Sequence, residues 1–329
     1  MFKTASYFRI AADFAMPALD DFEQALQAAR FLPCGPTQPE SSGWSAPRGA
    51  KSLALLESVG GQLIFQLCTE KRPLPSSAVK EALQARIEQY KEETGQERAS
   101  AKIKKAIKEE VILDLLPRAF TKRSNTLVWL DPVRRFLVVD TGSLSGADKV
   151  VTFLVQALSE VPGSRPGLGV KPVMTQMSAA AAMSHWLSSQ EAPVGFTIDR
   201  DCELKTPDDL KSTVRYARHT LEIDEVPLHI ASGKVPTQLA LTWHDRVSFM
   251  LTETGQVKKL KLLDVVLDGV QEGGKDDDGF DTDAALLTGE LAAMLPDLIE
   301  ALGGETVDTA SAGVAPANAP QAAMADAPF

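Results

Sequence analysis

The chain of 329 residues carries 34 Lys and Arg against 44 Asp and Glu, a formal net charge of −10. Its hydrophobic and charged fractions, 44% and 24%, are those of an ordinary globular protein, and its length allows two or three domains around a substantial core. No run of about 18 apolar residues occurs, which excludes a membrane-spanning helix. The acidic balance argues against a uniformly cationic nucleic-acid binder but leaves room for a local one, because nucleic acid responds to the field it meets and not to the total charge.

Charges interrupt the opening MFKTASYFRIAADFAM, which does not read as a secretory signal, so the expected compartment is the cytoplasm. Tyr7–Ala12 reads as a strand. Leu19–Phe31 reads as a helix with Asp20 and Asp21 well placed in its first turn. Ser41–Lys51, rich in Ser, Gly and Pro, is expected to be a loop, and Ser52–Ser58 a helix. Gly60-Gly61 turns the chain into a strand at Gln62–Leu67.

Leu74-Pro75-Ser76-Ser77 is a helix-start signal. Ala78–Glu93 and Ala99–Leu116 then form a helical hairpin around Thr94-Gly95. Between Lys80 and Arg123 eleven cations stand against eight carboxylates, a local excess of three in an acidic chain. Pro117 must end or kink the second helix. Phe120 follows between Arg118 and the pair Lys122, Arg123, a setting that favours exposure, the alternative being a ring folded into a local core. Thr126–Asp131 and Arg135–Asp140 read as a strand pair across Pro132, and Ala147–Leu158 as a helix. Val161–Lys171, with its glycines and prolines, is the candidate boundary to the second half.

In that half Ala179–Leu187 is a predicted helix and Gly195–Ile198 a strand. Lys211–Thr220 alternates as a strand, with Thr213, Arg215, Ala217 and His219 on one face and Val214, Tyr216 and Arg218 on the other. A short helix at Asp224–Ser232 leads to Gly233-Lys234. Pro236–Trp243, Arg246–Leu251 and Gln256–Leu263 read as consecutive antiparallel strands, the last carrying Lys258, Lys259 and Lys261. A sheet lined with these cations can track a phosphate backbone; the plainer reading is a polar face with scattered charges. Ala284–Leu302 is a helix with a leucine stripe, expected to bend at Pro296 and ending at Gly303-Gly304. The Ala- and Pro-rich tail beyond Glu305 has no apolar face and reads as disordered.

Catalytic chemistry is hard to find. His185, His219, His229 and His244 form no HExxH motif, and Cys34, Cys68 and Cys202 are scattered and unpaired in spacing, so no metal site, disulfide or cofactor is expected. Gly142–Gly146 has Leu144 where a nucleophile elbow needs serine. There is no phosphate-binding GxxxxGK[ST]. The acidic loop Gly273–Asp283 fails as an EF-hand, because the register set by Gly279 puts Gly274 and Ala285 at positions that need carboxylates; it is read as a solvated loop that caps the next helix.

Several stretches together carry a resemblance: FLPCG at Phe31–Gly35, GW at Gly43-Trp44, LPSSAVK at Leu74–Lys80, LLPRAF at Leu115–Phe120, and LTGELAAMLPDLIEALGGE at Leu287–Glu305. In this order, to about residue 305, the chain resembles the RdgC family of bacterial recombination-associated proteins. The resemblance implies an α+β fold. It implies an elongated chain whose mixed α/β central body (1–73 and 121–165) carries a helical-hairpin tip (74–120) and an antiparallel-sheet base (166–305), followed by the tail 306–329. Two such chains would close into a ring-shaped homodimer, with Leu116, Arg118 and above all Phe120 at a dimer contact. The implied partner is double-stranded DNA, with single-stranded DNA as an alternative, bound without sequence preference in a positively lined hole. The implied outcome is antagonism of RecA in the nucleoid.

The cations assigned to DNA are Lys211, Arg215, Arg218, His219, Lys234, Lys258, Lys259 and Lys261. The family's Gly-Lys pair is present as Gly233-Lys234, whereas its Lys-Gln pair is Arg218-His219 here. Two competing readings differ in class. One is an acidic interaction module that contacts RecA directly and DNA only incidentally; the other is a metal-dependent nuclease built on the acidic loop.

Overall fold

The computed structural model describes residues 2–160, 169–207, 212–268 and 279–306. In chain order the first half contains β1 (Ser6–Arg9), α1 (Leu19–Ala28), β2 (Glu40–Ser45), β3 (Leu56–Val59), β4 (Gln62–Lys71), α2 (Ser76–Thr94), α3 (Ala101–Leu115), β5 (Lys122–Asp131), β6 (Phe136–Val139) and α4 (Leu144–Ser159). The second half contains β7 (Lys171–Pro172), α5 (Ala179–Ser189), β8 (Phe196–Lys205), β9 (Thr213–Tyr216), α6 (Glu225–Ala231), β10 (Val235–Trp243), β11 (Val247–Thr252), β12 (Val257–Leu262), α7 (Asp264–Leu267) and α8 (Phe280–Ala301). The fold is α+β with two sheets, and every strand pairing within them is antiparallel.

The first sheet runs β2-β4-β5-β6-β1-β7. One edge of β4 is divided, β3 lying against residues 62–65 and β2 against residues 66–71, while β5 takes the other edge. Gly60 and Gly61, at φ +58° and +79°, close the β3–β4 hairpin with the left-handed pair that a two-residue turn requires. This corrects two expectations. The segment 52–58 is not a helix, because β4 and the Glu23 carboxylate take up its backbone: Glu23 accepts from the amides of Leu55 and Leu56 at 2.7–3.1 Å. Nor is 41–45 loop; it is strand, and it sets Trp44 fully into the core.

Alternation along β5 and β6 builds the core on both faces of this sheet. Val128, Leu130, Leu137 and Val139 face α1 and α4, with Phe22, Leu26, Val150 and Leu154. Trp129, Phe136 and Val138 face the other way, into a cluster shared with Leu239 and Leu241 of β10 and Leu291, Leu295 and Leu298 of α8. The second sheet, ordered β12-β11-β10-β8-β9, therefore shares one core with the first, to which α5 and α8 also contribute. The two are also stitched by backbone, since the amides and carbonyls of Ala5 and Val257 exchange hydrogen bonds at 2.8 and 3.0 Å.

The hairpin stands apart from this. α2 has no buried residue and α3 buries only Ile107 and Val111, as expected of helices polar outside one stripe. Ser100 caps α3 through Ile103 N, and Gly95 ends α2 in the left-handed conformation. At the far end of the chain α8 runs through Pro296 to Ala301. Gly303 and Gly304, both at positive φ, donate to the carbonyls of Glu300 and Ile299. The N-cap of α8 is Gly279, and Asp281 in its first turn pairs with Arg48; the loop residues expected to cap this helix lie outside the described residues. Residues 273–278, the stretch 161–168 of the expected boundary and the tail 307–329 lie outside the described residues. Among the described residues no helix is long and apolar enough to cross a membrane.

Candidate nucleic-acid interface and dimer contact

α3 ends at Leu115, and Pro117 closes the ladder after a single 3-10 turn, Leu116–Arg118. Leu116 is buried, Arg118 is exposed, and the Phe120 ring is 93% exposed. The ring is thus not folded into a local core, and Leu116 underlies the surface that Arg118 and Phe120 present. What holds Phe120 out is a side chain that the motif does not contain. Arg72 donates from Nη1 to the carbonyls of Leu116 (3.3 Å) and Ala119 (3.0 Å), and from Nη2 to the carbonyl of Cys34 (3.4 Å). One guanidinium therefore ties the LLPRAF segment to the FLPCG loop, its planar fork serving carbonyls 38 to 47 residues distant.

Beneath this platform lies Glu70, 2% exposed. Its Oε2 accepts from Arg123 Nε at 2.5 Å and its Oε1 from the Cys34 amide at 2.8 Å. The Arg123 guanidinium, helped by that amide, holds the carboxyl below its ordinary value against the opposing effect of burial. The Cys34 thiol is pushed up, first by burial and then by the Glu70 charge. Arg123 also lies 5.3 Å from the Phe31 ring centroid.

A depressed folded value stabilises the protein above the unfolded carboxylate range, near 4.3, and that stability is lost as pH falls through the folded value. Glu70→Gln is therefore expected to lower stability at pH 7 and to flatten its decline below about pH 4. Urea titrations of both proteins at pH 7 and pH 3 check this. Parallel loss in the two would mean that the Glu70–Arg123 pair is energetically silent.

The predicted DNA residues lie on and around the second sheet. Its inner face buries Cys202, Leu204, Leu239, Leu241, Phe249 and Leu251. Its outer face holds a hollow of about 510 Å³ floored by Ala240 and Met250, with Arg200, Arg218 and Lys259 around it. Arg215 is exposed on β9 opposite Glu203. Lys258 and Lys261 face Met250 and Ser248 across the β11–β12 ladder, and Lys259 occupies the register shift between them at φ +51°. Lys258 lies with its Cε 2.9 Å from where a Cβ on Gly142 would stand, so its stem packs on the loop before α4. Lys234 stands apart, next to Val235, which pairs with Lys205 at the Thr213 end of β9 and not at the Arg218 end. Lys211 falls outside the described residues.

The same face carries a row of carboxylates along β8: Asp199, Asp201 and Glu203. Asp201 Oδ1 accepts from the Arg218 amide at 2.7 Å and holds Arg218 at φ +56°. Asp199 accepts from Thr242 Oγ1 at 2.9 Å, and burial, with the nearby Asp201 charge adding to it, raises its pKa. Glu203 bonds Lys205 Nζ at 2.8 Å and Thr237 Oγ1 at 3.0 Å, and Lys205 is the main cause of its lowered value. The hollow is therefore of mixed charge. Among the described residues no group of three or more His, Cys, Asp or Glu is arranged to hold a metal ion.

Sequence reasoning missed Arg72, Glu70, Arg200 and the carboxylate row. The row had a signal in its period of two, but the strand was read as ending at Ile198 when it continues to Lys205. Arg72 had none, because its partners are backbone carbonyls brought together only by the fold.

A family model described as "Putative exonuclease, RdgC" matches residues 1–305. The chain is 42% identical over 311 residues to the recombination-associated protein RdgC of Dechloromonas aromatica strain RCB, covering 93% of this chain and 99% of that protein. It is 40% identical over 305 residues to the protein of the same name from Herminiimonas arsenicoxydans, covering 92% and 98%. The recombination-associated protein RdgC of Bordetella pertussis is 37% identical over 305 residues, with the same coverage.

Proposed function

The chain belongs to the RdgC family, and on that premise we propose that it is a non-catalytic, sequence-independent DNA-binding protein. It closes around duplex DNA as a ring-shaped homodimer and modulates homologous recombination by restraining RecA, acting in the nucleoid. The observation that carries the reading is the outer face of the second sheet, where Arg200, Arg218 and Lys259 border one hollow, with Arg215, Lys258 and Lys261 on the adjoining strands. Cations on a single face supply the sequence-independent part of DNA affinity in a chain whose total charge is −10. The exposed Phe120 ring supports the closure, because a two-fold contact uses each ring once per subunit.

The test is equilibrium binding of a short labelled duplex across a salt series. Log affinity is expected to fall linearly with log salt with a slope of several phosphates, and a variant with Arg218→Gln and Lys234→Gln to lose about one to two units of that slope. Absent or salt-insensitive binding would move the function to an acidic module that contacts RecA directly. The family description also names exonuclease activity. Incubation with labelled DNA and magnesium is expected to leave the DNA intact, and shortening of the strands would overturn the non-catalytic reading.

A further inference from the structure

Beside the stitch that joins the two sheets lies a cavity of about 590 Å³ that DNA binding does not use. Both halves of the chain build it. Tyr7 and Phe8 of β1 and Leu144 of α4 come from the first half, and Met174, Gly255 and Leu302 from the second. Phe8 and Leu302 are buried, whereas Leu144 and Met174 are 52% and 64% exposed, so the apolar wall runs from the core out to the mouth. Ligand sites favour junctions of this kind, and the volume lies within the range of about 300–1,000 Å³ that holds small molecules.

Most hydroxyls around the cavity are spent within the fold. Ser6 Oγ donates to the Thr141 carbonyl at 2.7 Å and accepts from Gln256 Nε2 at 2.6 Å. Thr175 Oγ1 donates to the Met177 carbonyl at 2.7 Å, and Ser178 Oγ accepts from the Ala181 amide at 3.2 Å. Tyr7 is the exception. Its ring packs against the shared core, its hydroxyl stands 3.8 Å from where a Cβ on Gly255 would lie, and among the described residues no group bonds that hydroxyl. Burial raises the phenol above its ordinary value, so it stays protonated and has a donor to offer. A largely desolvated hydroxyl without a partner costs the folded chain stability unless something else supplies the bond.

The charge around the cavity narrows what that partner is. Among the described residues no Lys or Arg lines it, and its one charged group is the exposed carboxylate of Asp148. An anion would meet this carboxylate with no cation to offset it.

We propose that the cavity binds an uncharged, largely apolar small molecule whose single polar group pairs with the Tyr7 hydroxyl. A ligand held there touches both halves at once, and by mass action it stabilises the packing of one sheet on the other. Such binding requires no nucleic acid and lies outside the DNA reading.

The test is a fluorescence titration of the full chain with N-phenyl-1-naphthylamine, an uncharged apolar dye whose amine can bond a phenol, beside the anionic 8-anilinonaphthalene-1-sulfonate. Native protein is expected to bind the neutral dye saturably, one per chain, with a rise in melting temperature, and the anionic dye about tenfold more weakly or less. Tyr7→Phe keeps the ring and removes the hydroxyl. It is expected to bind the neutral dye about fivefold more weakly while the free protein melts at or above the native temperature. Those opposite signs separate a hydroxyl that faces a ligand from one that serves the fold. Met174→Glu, at an exposed position, is expected to fold and to weaken the neutral dye about tenfold by placing a carboxylate at the mouth. Phe120→Ala, which removes the exposed ring of the hairpin platform, is expected to bind the dye like native protein. Loss in Phe120→Ala with retention in Met174→Glu would put the dye on that platform, and equal binding of both dyes would show unselective adsorption; either result, or no saturable binding, overturns the site. Tyr7→Phe protein that binds the dye like native, or melts below it, overturns the pairing with Tyr7 and the ligand class that follows from it.

Discussion

Phe120→Ala is expected to raise the dissociation constant of the proposed homodimer by about a thousandfold. Truncating a central aromatic at an interface costs about 2 kcal/mol, and two-fold symmetry applies the loss twice, giving about 4 kcal/mol. Because the ring is 93% exposed in the single chain, its removal takes nothing from the core. Sedimentation velocity across a concentration series should show the variant as monomer where the native protein is dimer, with melting temperatures of the dilute monomers within about 2 °C. A variant that dimerises like the native protein would remove Phe120 from the interface. Arg72→Met provides a companion: it keeps Phe120 but releases the carbonyls of Leu116 and Ala119, so weaker dimerisation there would assign the contact to the platform as well as to the ring.

Two glycines should respond to alanine with opposite signs. In β2, a Cβ on Gly43 would stand 2.5 Å from Phe31 Cα and 2.6 Å from Phe31 N, distances that only backbone movement can relieve. Residues 29–31 lie flat against β2, with Phe31 N donating to the Trp44 carbonyl at 2.8 Å and Trp44 N to that of Ala29 at 3.0 Å. Gly43→Ala must push this strand of chain away, break both bonds and unseat the loop whose Cys34 amide serves Glu70. A loss of about 3 kcal/mol or more is expected, the upper range for overpacking. Gly289, inside α8, has nothing within 4 Å of its built Cβ. Alanine there should stabilise by about 0.5–1 kcal/mol through helix propensity and a less flexible unfolded chain. Urea midpoints of the two variants check both signs; losses at both positions would undo the packing argument.

Where one element dictates its own conformation, the sequence was readable. The leucine stripe of α8, the polar hairpin helices and the β10–β12 meander all follow from local period, and the cations around Phe120 pointed to the exposure that its ring shows. Reading failed where a distant group decides. Leu53, Ala54, Leu55 and Leu56 are good helix formers, yet Glu23 and the edge of β4 claim the backbone of Leu55 and Leu56, and only the Gly60-Gly61 pair hinted at the hairpin. Arg72 and Glu70 gain their meaning from carbonyls and amides far along the chain. The cations of the second sheet were visible one by one. Their shared hollow was not, because it depends on the register of β8 against β9 and β10 and on the carboxylates that this register brings between them.

The stitch between the two sheets also sets a timetable. Ser6 meets Gln256 across 250 residues, Nε2 donating to Oγ at 2.6 Å, and Arg9 meets Glu305 across 296. At a synthesis rate of about 5–20 residues per second, the first strand waits roughly 12–50 s for these distant contacts. During that interval the Trp129, Phe136 and Val138 face of the first sheet has no cover from β10 or α8. The nascent chain therefore emerges with this apolar face bare from the completion of β6 to the arrival of α8, an interval in which exposed apolar strands favour association over folding.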